Sequence, residues 1–392
     1  MIYFDNNATT ALAPEVREAM LPHLFEQYGN PSSPHAAGMA ARQAVGEARG
    51  QVAALIGAKP AEILFTASAT EANHTALLGT LRALSDKVSD KAVSDHAPAR
   101  RHIVTTAVEH PSTLMLVRDL KRQGWRVTIL PVDEAGGLDL NRLRAAVTSE
   151  TALVSVMWAN NETGVVMPVA EAADIAQARG ALFHTDAVQA AGRLPVNVEA
   201  VNADLLTLSA HKMHGPKGIG ALYVRKGTPF APLIQGHQER HRRGGTENVP
   251  AIVGFGTAAD LARTAVAEAG GIAILRDRLE RGIVARWPGC RINGGTANRL
   301  PNTTSIRFAD PQGRPVDAEE ILMRLDRAGI AVSMGAACAS GRNEPSHVLT
   351  AMGLSPMAAA ASLRFSLSRY STAAEVEAVL TELPALYARL AA

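Results

Sequence analysis

The sequence predicts an α/β protein: a large domain with a mostly parallel sheet flanked by helices, followed by a smaller α+β domain. Three observations predict it. Short β-branched runs alternate with alanine-rich amphipathic segments through the first part of the chain. Beyond Asn248-Val249-Pro250 the pattern turns to long helix with fewer strands. The chain has 392 residues, more than one hydrophobic core normally serves, and 47% of them are hydrophobic against 19% charged.

In chain order, 63–65, 103–106, 127–130, 152–156, 182–184 and 205–208 read as strands, and Leu222-Tyr223-Val224 as another. Segments 111–122 and 169–179 between them carry helical periodicity. A long helix is expected over 251–268, with a break at Gly270-Gly271. Strands follow at 304–308, 331–334 and 363–366. The repeated Ser-Asp pairs within 85–101 lack apolar periodicity and read as a solvated loop with no assigned function. Net charge is +2, which gives no sign of a field for nucleic acid or an anionic membrane. The polar opening Asp5-Asn6-Asn7-Ala8-Thr9-Thr10 argues against a signal peptide, and no apolar run is long enough to span a bilayer. Two cysteines cannot form a disulfide framework in a chain of this size, so a reducing, cytoplasmic compartment is expected.

Chemistry is expected at the strand ends. Ser209-Ala210-His211-Lys212-Met213-His214 places a lysine directly after a buried strand, where desolvation disfavours the ammonium. The usual reason to keep a lysine there is a Schiff base to a carbonyl cofactor. Asp186, in Asp186-Ala187-Val188-Gln189, ends the preceding strand. A fixed carboxylate there would keep a pyridine nitrogen protonated, although a helix N-cap is an equal reading. Ser68-Ala69-Thr70-Glu71 opens a helix with small hydroxylated residues, which suits an anion and is also a plain capping box. Ser209 and His211 flank the lysine and could add hydrogen bonds to a phosphate.

Gly215-x-x-Gly218-x-Gly220 is not a dinucleotide fingerprint, because a strand rather than a helix follows; these glycines read as a hairpin passing close to the cofactor. No cysteine or histidine pair has the spacing of a structural zinc site, so no metal is expected. Cys338, among Gly335, alanines and Gly341, reads as a reactive thiol on a loop, whereas Cys290 reads as a small hydrophobe. Arg364 offers a fork of donors for a substrate carboxylate, or else a structural ion pair.

Taken in order, Asp5-Asn6-Asn7-Ala8-Thr9-Thr10, Gly29-Asn30-Pro31-Ser32-Ser33, Ala69-Thr70-Glu71, Glu109-His110, Asn160-Asn161-Glu162-x-Gly164, Asp186-x-x-Gln189 and Ser209-x-His211-Lys212 resemble the cysteine desulfurases over essentially the whole chain. The loop around Cys338, followed by Glu344-Pro345-Ser346-His347, resembles the NifS/IscS branch of that family. The resemblance implies the aspartate-aminotransferase fold of PLP-dependent transferases, with a seven-stranded sheet. It implies a large domain over 15–258, and a small domain made of 1–14 and 259–392 that carries the cysteine loop.

It also implies pyridoxal 5'-phosphate on Lys212, with Asp186 at the ring nitrogen, Gln189 at the ring hydroxyl and His110 on the ring face. The phosphate would meet Ala69, Thr70, Ser209 and His211, joined by Thr246 from the partner subunit of a homodimer. Asn161 and Arg364 would hold the carboxylate of L-cysteine. Lys212 would move the Cα proton, and Cys338 would take the sulfur as a persulfide, leaving L-alanine. A sulfur-acceptor or iron–sulfur scaffold protein would receive it. Two places depart from the family pattern: Ile234-Gln235-Gly236-His237-Gln238-Glu239 is poorer in glycine, and alanines surround Cys338 where hydroxylated residues are frequent.

Overall fold

The computed structural model describes residues 1–89, 100–335 and 345–390. Seven strands form the central sheet in the order Ile63–Thr66, Gly220–Val224, Leu205–Ser209, Leu182–Asp186, Thr151–Ser155, His102–Thr106 and Arg126–Leu130. Only Gly220–Val224 runs against its neighbours; the other strands are parallel. The central strands are buried along their whole length, as expected of a sheet covered on both faces.

Alternation along each strand decides which layer a side chain joins. Ile63, Phe65, Val104 and Val154 belong to one core, with helices Ala36–Leu55 and Val249–Ala265. Leu64, Ile103 and Leu153 face the other way, onto helices Ala69–Ser89 and Pro111–Arg122. The helices Ala36–Leu55 and Val249–Ala265 approach so closely that a Cβ on Gly256 would lie 2.6 Å from the Ala48 Cα.

A separate core gathers Leu279, Ile283, Trp287, Phe308, Leu363, Phe365 and Val379 around the antiparallel sheet Ser362–Ser366, Thr303–Arg307, Arg291–Asn293. Phe4 from the opposite end of the sequence completes it. The N-terminal strand Ile2–Tyr3 pairs in parallel with Ile330–Ala331.

Three expectations need correction. The segment at 85–89 is not loop, because helix Ala69–Ser89 runs through it; residues 90–99 lie outside the described ones. Gly270-Gly271 does not interrupt helix: Ala269–Arg286 passes through both, and the break is a 3₁₀ turn at Val266–Glu268. Each glycine costs a helix about 1 kcal/mol. Packing of this helix on Ala373–Leu390 offsets it, with Gly282 pressed against Leu380 so that a Cβ would meet Cδ1 at 2.4 Å. Thirdly, the strand expected at 331–334 is Ile330–Ala331; Ser333 makes only a bridge to Arg364.

Candidate active site

The parallel strands all end at one edge of the sheet, and their following loops meet there. Leu205–Ser209 runs into the 3₁₀ turn Ala210–Lys212, closed by a hydrogen bond from the Gly215 N–H to the Ala210 carbonyl at 2.9 Å. The N-terminal segment lies over this turn. Thr10 N–H donates to the His211 carbonyl at 3.0 Å, and Ala13 N–H to the His214 carbonyl at 3.0 Å. Lys212 Nζ consequently points at two backbone carbonyls, Asn7 and Ala8, each at 2.7 Å. Burial first, and then the cations Arg193 and Arg364, bring its pKa down to about 7 against the opposing pull of Asp186 and Asp5. A large share of neutral amine at neutral pH is the state a Schiff-base lysine needs.

Asp186 ends the neighbouring strand, in register with Thr207. Its Oδ1 accepts from Val188 N–H at 3.0 Å and its Oδ2 from Asn73 Nδ2 at 2.8 Å. The cap-like role and the buried acid thus coexist. Asn73 also donates to Ser112 Oγ at 3.0 Å, and Ser112 Oγ lies 2.8 Å from His110 Nδ1. His110 is the N-cap of helix Pro111–Arg122, its Nδ1 accepting from Ser112 N–H at 3.2 Å. With Nδ1 accepting, the ring proton belongs on Nε2. Burial holds the His110 pKa below the usual histidine range. A chain of hydrogen bonds therefore joins Asp186, Asn73, Ser112 and His110.

Ala69 and Thr70 are the first two residues of helix Ala69–Ser89, and only the Ser68 half of the expected capping box forms, because Glu71 reaches back one residue further, to Ala67. Glu71 N–H donates to Ser68 Oγ at 3.1 Å, while Ala67 N–H donates to Glu71 Oε2 at 2.9 Å. Gly220 passes so near this helix start that a Cβ would meet Ser68 C at 2.6 Å and Ala69 N at 2.9 Å. Ser209 is buried beside it, and His211 Nδ1 lies 3.1 Å from Thr9 Oγ1, with burial bringing its pKa down to about 4.

Arg364 makes the ion pair that was one of its two readings. It binds Asp5 Oδ1 at 2.6 Å and the Asn161 carbonyl at 2.9 Å, and its buried Nε has no partner. Gln189 donates from Nε2 to the Asn7 carbonyl at 3.1 Å. Thr246 is exposed on a segment anchored by an ion pair from Arg243 to Glu71 at 2.9 Å. Cys338 lies outside the described residues. Cys290 is buried, and burial pushes its thiol up to about 12, which leaves it inert.

Sequence reasoning passed over Asn7, Asn73, Ser112, Arg193, Glu109 and Glu162. Asn7, Glu109 and Glu162 stand inside motifs already singled out, and Asn73 two residues beyond one, yet nothing local says what they face. Glu109 is buried, with Oε1 accepting from Thr106 Oγ1 at 2.7 Å and Met157 N–H at 2.9 Å, and with Oε2 unpartnered; burial pushes its carboxyl up to about 8. Glu162 accepts from Ser346 Oγ and lies 2.8 Å from where a Gly335 Cβ would stand.

The donor set fits a phosphorylated pyridine aldehyde. A half-buried lysine of lowered pKa, a carboxylate at the end of the adjacent strand and a helix start against which Gly220 packs lie at the same end of the sheet. Comparison with known proteins identifies the family. The class-V aminotransferase pattern matches residues 2–379. A cysteine desulfurase of Cereibacter sphaeroides is 51% identical, over all of this chain and 97% of that protein. One of Trichormus azollae is 49% identical, over all of this chain and 94% of its own length. Among solved structures, a NifS-like protein superimposes with a TM-score of 0.88 at 37% identity, covering 99% of this chain and all of that one. The NifS-like protein of Rickettsia africae gives 0.84 at 32%, covering 99% of each. The chain belongs to the class-V aminotransferases and, within them, to the cysteine desulfurases.

Proposed function

We propose that this desulfurase works through pyridoxal 5'-phosphate held on Lys212 and delivers the sulfur of L-cysteine to Cys338. The observation that carries the reading is the half-buried Lys212 side chain in the turn Ala210–Lys212, directly after the strand that pairs with the one ending at Asp186. When bound, the cofactor supplies an electron sink for charge developing on the substrate. Asp186 keeps a proton on the ring nitrogen, Gln189 donates to the ring oxygen, and His110 contacts the ring and handles the substrate thiol proton. Ala69, Thr70, Ser209 and His211 bind the phosphate. Asn161 and Arg364 orient the substrate carboxylate, with Arg364 held in place by Asp5. Lys212 moves the Cα proton. The Cys338 thiolate attacks the substrate sulfur: an S–S bond forms, the C–S bond breaks with its electron pair left on carbon, and protonation there gives L-alanine.

The same reading makes the protein a homodimer in which Thr246 reaches the partner's phosphate. Supporting it, Leu21, Leu24, Phe25, Tyr28 and Met39 are all exposed between helix Pro14–Phe25 and the start of helix Ala36–Leu55, an apolar display that a partner would cover. We place the work in the cytoplasm, with a sulfur-acceptor or iron–sulfur scaffold protein downstream. No helix among the described residues is long and apolar enough to cross a membrane. The division into 15–258 and 1–14 with 259–392 is part of the proposal, supported by Phe4 joining the C-terminal core.

The test is release of alanine and sulfide from L-cysteine with a reductant. Equal amounts are expected, with both lost in Cys338→Ala while the yellow colour stays. Full activity in that variant would remove Cys338 from the reaction.

A further inference from the structure

Two arginines lie near Lys212, and they differ in one respect. Arg364 is neutralised by Asp5 at 2.6 Å. Arg193 is buried and has no carboxylate within ion-pair distance among the described residues. Its guanidinium instead donates to the Gln189 carbonyl at 2.8 Å, to Gln189 Oε1 at 2.9 Å and to the Lys212 carbonyl at 3.3 Å. The recess it lines with Asn6, Thr10, Lys212, His214 and Arg369 contains no acid among the described residues. A buried, unpaired charge is expensive to keep, so its retention asks for a reason.

We propose that Arg193 is a positioning residue that fixes Gln189 as a donor and keeps the Lys212 nitrogen uncharged. Arginine has only donors, so the Gln189 oxygen must face it and the amide nitrogen must face away. That nitrogen and Lys212 Nζ both point at the Asn7 carbonyl, at 3.1 and 2.7 Å, so the two groups converge on one spot. The charge acts on the same spot. Around Lys212 stand Arg193, Arg364, Asp186, Asp5, His110 and His211. Arg364 is offset by Asp5, and burial keeps both histidines neutral at neutral pH. His214 and Arg369 line the same recess: burial keeps His214 neutral, and half-buried Arg369 donates to the Leu261 carbonyl and the Tyr370 hydroxyl. Arg193, whose own pKa falls only to about 10, is the buried cation there without an ion-pair partner among the described residues.

The inference rests on Lys212 carrying the cofactor, so the experiment checks that separately. Borohydride reduction of the wild-type holoenzyme should fix the cofactor on the Lys212 peptide; a label elsewhere defeats that reading and this one with it. The absorbance of the yellow holoenzyme is then titrated with pH for wild type, Arg193→Gln and Arg193→Lys. The midpoint should rise by about one pH unit in Arg193→Gln and stay near wild type in Arg193→Lys. With the label on Lys212, an unmoved midpoint in Arg193→Gln overturns the proposal. An equal rise in Arg193→Lys also overturns it, because shape rather than charge would then matter. If Arg193→Gln fails to fold, Gln189→Glu decides, since it sets a carboxylate against Arg193; its midpoint should rise, and an unchanged value overturns the inference.

Discussion

Two stretches of the molecule are held by opposite means. On the floor, Asp186 and Lys212 follow regular parallel strands, and register alone sets them on adjacent strand ends. The strap around Gln238–His241 has no such support. Glu239, Arg240 and His241 take φ values of 49°, 59° and 63°, a left-handed run without a glycine. That conformation costs roughly 1–2 kcal/mol per residue. Side chains hold it. Glu239 is buried against Arg49 in a two-pronged ion pair at 2.6 and 2.7 Å, and accepts from Phe65 N–H at 3.2 Å. Arg49 also lies over the Phe65 ring, and Arg240 and Arg242 both donate to the Ala61 carbonyl. On the floor the backbone places the side chains; in the strap the side chains place the backbone.

The contrast can be broken most sharply at Arg49. Arg49→Ala strands the buried Glu239 carboxylate, and denaturant unfolding should show a loss of about 3–5 kcal/mol. A change under 1 kcal/mol would mean the strap holds itself. On the floor, Glu109 gives a pH signature. Its folded pKa of about 8 lies above the ordinary 4.5, so the folded chain keeps a proton that the unfolded chain releases. That contribution is fully present below 4.5 and is lost as pH rises toward 8. Melting temperatures across this window should fall less steeply in Glu109→Gln than in wild type; equal slopes would show that Glu109 is ionised when folded.

Asn73→Ala sharpens the floor side. It removes the donor to both Asp186 Oδ2 and Ser112 Oγ, at an expected stability cost of about 1–3 kcal/mol. Desulfurase turnover should drop with it, since the hydrogen-bond chain from Asp186 to His110 is cut at Asn73. Turnover at the wild-type rate would show that strand geometry alone aligns the pair. The smallest effect is expected at His241. Replacing it by glycine removes left-handed strain, and the protein should gain about 1 kcal/mol with turnover unchanged; a loss would mean that the His241 ring, edge-on to His237 at 5.3 Å, contributes more than its backbone costs.

Much of the floor was legible because it is local. Segment 111–122 reads as helix from its periodicity and forms one over Pro111–Arg122, and the strands of the seven-stranded sheet agree within two residues at either end. Asp186 and Lys212 could be found by their place after apolar runs. The helix through Gly270-Gly271 was not legible, since its support comes from Leu380 and its neighbours more than a hundred residues away. The strap was legible only as a departure from a glycine-rich pattern. Nothing in Glu239 announces that Arg49, 190 residues earlier, will hold it.

The sequence by itself determined the alternation of strands and helices, the residue types at the strand ends and the family, because hydrophobic period and motif spacing are properties of neighbouring residues. The tertiary structure alone decided who faces whom. Asp5 meets Arg364 across 359 residues, the Asn7 carbonyl meets Lys212 Nζ across 205, and Arg193 meets no acid among the described residues. A buried charge takes its partner from whatever the closed fold brings within about 4 Å, and that choice exists only once the chain has folded.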